Sequence, residues 1–220
     1  MGIEKNFVQE GVKEGQLEEY LRKRFDRAGY SHLEMQRTPL GTRIIVYAYR
    51  PGLVVGRSGR RVKEIAEEIK EKFGIENPML DVREVENPML DAQVVANRIA
   101  KAIERGVNFK KVASYYARQV MEAGAVGVLI RIAGKLGGER AKALKIKQGY
   151  IKYSGNYAET LVDKGFTTAE TKPGTVGIQV KILKKMPTEL LIKFKEEEEG
   201  VEGKEEHGDS EGEGSKENEQ

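Results

Sequence analysis

Residues 52–74 read GLVVGRSGRRVKEIAEEIKEKFG. An apolar turn, Leu53-Val54-Val55, runs into Gly56-Arg57-Ser58-Gly59. These glycines open onto a run in which Val62, Ile65, Ala66, Ile69 and Phe73 recur at helical spacing until Gly74 stops it. The spacing alone specifies little in a chain of 25 glycines, because four other G-x-x-G tetrads occur, at Gly124/Gly127, Gly134/Gly137, Gly174/Gly177 and Gly200/Gly203. Context separates this copy from the rest. A cation and a hydroxyl lie between its glycines, and Arg60, Arg61 and Lys63 occupy the first turns of the helix that follows. Glycine lets a backbone approach a phosphodiester closely, while N–H groups and cations at a helix start favour negative charge. A plain turn between two packed helices is the alternative, and the charge argues against it.

Working outward, LEEYLRKRFDRAG at 17–29 places Leu17, Tyr20, Leu21, Phe25 and Ala28 on one helical stripe that ends at Gly29. SHLEMQRT and TRIIVYAYR, joined by a turn at Pro39 to Gly41, are expected to pair as a β-hairpin. Beyond Gly74, LDVREV is strand-like. The order is therefore helix, strand, strand, short helix, helix, strand. ENPMLD occurs twice, at 76–81 and 86–91. The first copy leads from a helix into a strand. Asp91 of the second is placed to cap DAQVVANRIAKAIER, whose Val94, Val95, Ile99, Ala102 and Ile103 form an apolar stripe. The second copy thus marks a domain boundary, and two copies do not make a solenoid.

NFKKVASYYARQVMEAG predicts another helix closed by Gly124, and AVGVLIRIAG alternates as a strand. GKLGGERAKALKIKQG reads as a basic glycine loop, IKYSGNY as a strand, and TVGIQVKIL as the last strong strand. Tyr115 and Tyr116 could stack on bases, although aromatics at helical spacing are more often core.

The whole chain carries +3, but its charge is divided unevenly. Residues 196–220 take twelve of the 35 acidic and two of the 38 basic residues, which leaves +13 on residues 1–195. A body that basic points to a polyanion, with nucleic acid foremost, against the plainer reading of a lysine-rich solvated surface. There is no cysteine, and His32 and His207 are the only histidines. Structural zinc, thiol catalysis and disulfides are thereby set aside, and the acids Asp26, Glu34, Asp81 and Asp163 form no recognisable catalytic set. The charged, cysteine-free composition suits a thermophile. The N-terminus has no basic-then-apolar signal pattern and the apolar runs are short, so an intracellular protein is expected, without membrane insertion. A Walker A loop is excluded at Gly134, because Leu129 and Leu136 stand where that motif needs a glycine and a hydroxyl.

Taken together, VVGRSGRRVKEI in that element order, NFKKVASYYARQVMEAGAVGVLIRIAGKLGGERAKALK and PGTVGIQVKIL resemble an archaeal-type member of the ribosomal protein S-three family, over nearly all of residues 5–185. The resemblance implies an α+β protein. Residues 1–16 would be an extension, 17–87 a type II KH domain, and 88–195 an α/β domain with two helices on a mostly antiparallel sheet. A disordered acidic tail would follow at 196–220. It implies no enzyme active site, metal or cofactor, and a cytoplasmic place in the small ribosomal subunit. The implied partners are 16S ribosomal RNA of the subunit head, messenger RNA, and neighbouring proteins of the S-ten and S-fourteen families. On this reading Gly56, Arg57, Ser58, Gly59, Arg60, Arg61 and Lys63 hold RNA in the KH domain, as KH modules clamp a short run of nucleotides. Lys135, Arg140, Lys142, Lys145 and Lys147 hold it in the second domain, and Lys110 and Lys111 face incoming messenger. Bacterial members have a further cation where Ser114 stands here. Two rivals are a nucleic-acid repair nuclease or lyase, which would need one activated lysine, and a free-standing KH regulator.

Overall fold

A computed structural model describes residues 3–38, 41–75 and 77–186. In chain order its elements are helix α1 (Ile3–Arg24), strands β1 (Tyr30–Thr38) and β2 (Gly41–Ala48), helices α2 (Pro51–Val55) and α3 (Arg60–Phe73), and strand β3 (Met79–Glu84). Helices α4 (Ala92–Glu104) and α5 (Phe109–Glu122) follow, then strands β4 (Gly127–Gly134) and β5 (Lys142–Gly149), helix α6 (Asn156–Thr160), and strands β6 (Val162–Thr171) and β7 (Gly174–Leu183).

The first sheet has the order β1-β2-β3, with β2 antiparallel to β1 and parallel to β3. Ile44, Val46 and Ala48 alternate along the central strand and bury completely against Leu17 and Leu21 of α1, Phe25 just after it, Val54 of α2, and Ile65 and Ile69 of α3. A parallel pair needs a crossover, and α2 and α3 supply it between β2 and β3. The Gly56–Gly59 turn is thus a joint inside that crossover, and the helix–strand order expected of a type II KH domain is observed.

The helix expected over 17–29 begins much earlier, at Ile3, and ends at Arg24. A 3₁₀ turn, Asp26–Ala28, follows, and left-handed Gly29 (φ 72°) closes that turn rather than the helix. Residues 3–16 lack a buried stripe, which hid them in the sequence. They are rich in Lys, Glu and Gln, good helix formers, and Glu10 pairs with Arg37 of β1 at 2.7 Å.

The repeated hexamer adopts two structures. In the first copy Asn77 takes a left-handed conformation (φ 44°), Met79-Leu80-Asp81 enter β3, and the Asp81 carboxylate pairs with Arg43 of β2. In the second copy the Leu90 N–H donates to the Asn87 carbonyl (3.0 Å), forming a turn, and Asp91 becomes the N-cap of α4, accepting from the Val94 N–H at 2.9 Å. Asp91 also accepts from the Ser31 hydroxyl in β1, and the Asn97 amide of α4 donates to the Tyr30 carbonyl at 3.3 Å. Helix α4 therefore belongs to the second half by sequence and is bonded to the first.

The second sheet, β5-β4-β7-β6, is wholly antiparallel. Val128, Ile130 and Ile132 of β4 and Val176, Ile178, Val180 and Ile182 of β7 bury against Val95 and Ile99 of α4 and Val112, Ala113, Ala117 and Val120 of α5. This is the expected pair of helices on one sheet face. On the opposite face Leu129, Ile151, Val162 and Leu183 make a smaller cluster.

Three readings of this half are corrected. Residues 142–149 are strand β5, not part of a loop: Leu144, Ile146 and Gln148 turn inward while Lys145 and Lys147 turn outward, an alternation masked by the number of lysines. IKYSGNY is not a strand. Ile151 anchors the small outer cluster and the chain then turns into α6. Strand β6 was not anticipated at all, because its helix-facing positions, Asp163, Gly165, Thr167 and Ala169, carry no large apolar side chain. The cause is close approach: a Cβ at Gly165 would lie 2.3 Å from the Ala92 carbonyl oxygen of α4. The acidic tail lies outside the described residues.

Candidate nucleic-acid interface

The KH turn is built by two glycines in backbone conformations closed to other residues. Gly56 (φ 71°, ψ −172°) ends α2, and Gly59 (φ 71°, ψ 9°) is the N-cap of α3. Arg57 to Gly59 form a single 3₁₀ turn between them. The N-cap, Gly59, has no side chain with which to cap α3; the Arg60 N–H donates to the Arg57 carbonyl of the 3₁₀ turn, and the helix dipole favours an anion at this end. Arg57, Arg60 and Lys63 are exposed around this end. Arg61 is exposed as well and also makes contacts within the turn. Its guanidinium donates to the Leu53 carbonyl of α2 at 3.1 Å, and its side-chain carbons lie 2.9 Å from where a Cβ of Gly56 would be. It braces the turn. Exposed Leu53, 44 % accessible, lies beside these cations and gives the groove between α2 and α3 an apolar floor.

Lys110 and Lys111 are exposed in the first turn of α5. The Asn108 side chain caps that turn by accepting from the Lys110 N–H at 2.9 Å, so the lysines rather than free N–H groups present the charge. Lys111, Ser114, Tyr115 and Arg118 follow at helical spacing and are all exposed. Arg118 thus supplies a third cation two turns along from Lys111, and exposed Tyr115 stands between them. The sequence marks Tyr115 as able to stack on bases but does not single out Arg118. Tyr116, edge-on to Tyr115 at 5.4 Å, turns to the other side and is half-buried.

Of the five cations expected in one loop, Lys135 and Arg140 lie between β4 and β5, and Lys142, Lys145 and Lys147 lie on β5. Lys145 is in register with Arg131 of β4, and both Lys145 and Lys147 approach the Tyr153 ring at 5.3 Å. Lys181 of β7 and Lys164 of β6 are paired in register on the same outward side. Lys145, Lys147, Arg131, Lys164 and Lys181 therefore form one outward sheet face, while Lys135 and Arg140 stay in the connection between β4 and β5. Arg131, Lys164 and Lys181 escaped notice because their positions share a face only once the register of four strands is known.

His32, Asp26 and Asp163, singled out in the sequence, have structural partners, and His207 lies outside the described residues. His32 stacks on Tyr47 at 4.3 Å, Asp26 pairs with Lys101 at 3.2 Å, and Asp163 accepts from the Ala92 N–H at 3.1 Å and pairs with Lys184. Among the described residues no three His, Cys, Asp or Glu side chains gather where a metal could be held, and no helix is long and apolar enough to cross a membrane.

Residues 16–90 match the family model of the KH domain, and residues 99–182 match that of the ribosomal protein S3 C-terminal domain. The small ribosomal subunit protein uS3 of Methanocaldococcus jannaschii is 48 % identical over 87 % of this chain and 93 % of its own length. The proteins of that name from Methanobrevibacter smithii and Methanococcus aeolicus are each 44 % identical, over 86 % and 87 % of this chain and 75 % and 93 % of their own lengths. With both domain models matched in order on the two halves that the fold displays, the chain belongs to the uS3 family of small ribosomal subunit proteins.

Proposed function

We propose that this protein, a structural constituent of the small ribosomal subunit and not an enzyme, binds the 16S ribosomal RNA of the subunit head and lines the channel by which messenger RNA enters. The observation that carries the reading is the α3 start: a helix N-terminus without a side-chain cap behind a two-glycine turn, ringed by exposed Arg57, Arg60 and Lys63. It suits a phosphate backbone and asks nothing of base identity. The outward lysines of β5 and the loop cations Lys135 and Arg140 add a second anchoring surface. Lys110 and Lys111, on a separate helix end, are assigned to the passing messenger. The S-ten and S-fourteen families are the proposed protein neighbours, and the cytoplasm is the proposed location.

The test is sedimentation of cell extract after a high-salt wash. The protein should travel with small subunits, and its recovery at the top of the gradient would instead support a free-standing KH regulator. Incubation with abasic-site DNA, with and without borohydride, separates the lyase reading, which requires a trapped covalent adduct on lysine.

A further inference from the structure

A second cationic site lies where the two halves meet. Arg27 of the 3₁₀ turn, Arg50 at the start of α2, Arg98 of α4 and its C-cap Arg105 line one cleft of about 260 Å³ together with Tyr49 and Tyr116. Arg98 lies over the Tyr49 ring at 4.2 Å and Arg50 approaches it at 5.4 Å. Burial raises the Tyr116 hydroxyl above its ordinary pKa while Arg98 and Arg105 pull the other way, so two of the arginines and the tyrosine share one electrostatic environment. Among the described residues none of the four arginines pairs with a carboxylate. The cation that does pair, Lys101 with Asp26, sits at the cleft wall.

Four guanidiniums without a carboxylate partner among the described residues, and two aromatic rings in the same concavity, suit an anion that also has flat faces. A guanidinium fork matches phosphate oxygens two at a time, and both guanidiniums and tyrosine rings stack on unpaired bases. The cleft is smaller than the roughly 300–1,000 Å³ that engulfs a whole small molecule, which suits a short piece of a polymer passing over it. Its position suggests which polymer segment. Arg50 is the N-cap of α2 and Gly56 its C-cap, so the cleft and the KH turn lie at the two ends of a five-residue helix, about 8 Å apart along its axis.

We propose that the cleft receives the continuation of the single-stranded RNA held at Gly56–Gly59, so that one strand runs along α2 from the KH turn to the seam with α4. This rests on the reading of that turn as an RNA site.

The experiment uses the full chain and oligouridylates of four and twelve nucleotides. The wild type should bind the longer oligomer more tightly. Arg50→Gln/Arg105→Gln, both exposed side chains, should leave four-nucleotide affinity unchanged. It should weaken twelve-nucleotide binding roughly tenfold at low salt and reduce the slope of log affinity against log salt by about 1.4, the value for two lost phosphate contacts on a single strand. Arg98→Gln should act in the same direction, and Arg50→Lys/Arg105→Lys should retain most of the charge-dependent gain. Arg57→Asp/Ser58→Asp, measured alongside, should weaken both oligomers. Loss in that turn variant with an unchanged length gain in the cleft variant overturns the cleft proposal and leaves the KH reading standing. Unchanged binding in the turn variant overturns the KH reading itself, and the continuous strand with it. A twelve-residue polyglutamate that loses affinity for the cleft variant while RNA does not would make the cleft a site for an acidic protein segment, which also overturns the proposal.

Discussion

The KH turn and the seam cleft are both arginine-rich, but their charge is held in different ways. The turn collects its cations within eight consecutive residues, 56–63, on a helix end that faces solvent. The cleft collects Arg27 from the 3₁₀ turn, Arg98 from α4, and Arg50 and Arg105 from the cap positions of α2 and α4, and fixes Arg98 by stacking on Tyr49 and by a 3.5 Å contact to the Met89 sulfur. Charge that is contiguous in sequence survives local changes and moves with its loop. Charge assembled by packing depends on the fold being intact, and in return is held in place before any ligand arrives. Destabilising α4 should therefore abolish the cleft and spare the turn.

The largest expected effect follows from that dependence. Gly165→Ala forces a methyl group into the Ala92 carbonyl, 2.3 Å away, and pushes β6 and α4 apart. A cost of about 3 kcal/mol is expected, seen as a fall of roughly 6–12 °C in Tm by calorimetry. Binding of a four-nucleotide RNA, which the turn alone should hold, is expected to persist. If four-nucleotide binding falls in step with stability, the two sites are not separable in the way their construction suggests.

Arg57→Asp/Ser58→Asp breaks the comparison from the other side. Anions replace the exposed Arg57 cation and the neighbouring hydroxyl while no residue of the hydrophobic clusters changes, so Tm should stay within about 1 °C while affinity for single-stranded RNA drops on the order of 10- to 100-fold at low salt. A fall in Tm of several degrees would mean that the turn, too, depends on packing.

Helix α5 contains the same contrast on its two faces, with Tyr116 in the cleft and Lys110, Lys111 and Arg118 outside. Lys110→Ala/Lys111→Ala opens no cavity, so subunit assembly should remain near normal. Elongation through a stable hairpin should slow about two- to threefold relative to an unstructured message, since two phosphate contacts are lost. Arg118→Ala added to the pair should deepen the defect. Equal ratios for wild type and the double variant would remove these lysines from any unwinding surface.

The smallest effect concerns Tyr30, which sits at the seam with its hydroxyl buried and without a hydrogen-bond partner among the described residues. Burial raises its pKa above the ordinary value of 10.0, Glu18 adds to the rise and Arg22 opposes it. Above pH about 10 the unfolded chain gives up this proton and the folded chain does not, so stability present below that pH is lost as pH rises. Tyr30→Phe should leave Tm at pH 7 within about 2 °C and move the alkaline unfolding midpoint upward. A downward shift would show that the hydroxyl supports the seam after all.

Legibility in the sequence followed the same division. Strands β2, β4 and β7 announced themselves because their inward positions are Ile and Val at period two, and α3 because its apolar stripe is framed by glycines. Strand β6 stayed silent because a helix lies too close for large inward side chains, so the signal of burial is glycine and alanine rather than isoleucine. The KH turn could be read as a string. The cleft could not, since each of its arginines looks like ordinary surface charge until α4 is laid against the first half by Asp91 and Asn97.

Asp91 sets a clock on synthesis. The hydroxyl of Ser31 and the carboxylate that accepts it are 60 positions apart, so at a translation rate of roughly 5–20 residues per second Ser31 is polymerised about 3–12 s before its partner exists. During that interval the Tyr30–Ser31 end of β1 is an unfinished surface. A nascent chain paused just short of residue 91 should be open there to protease and to hydrogen exchange, and one extended through α4 should be closed.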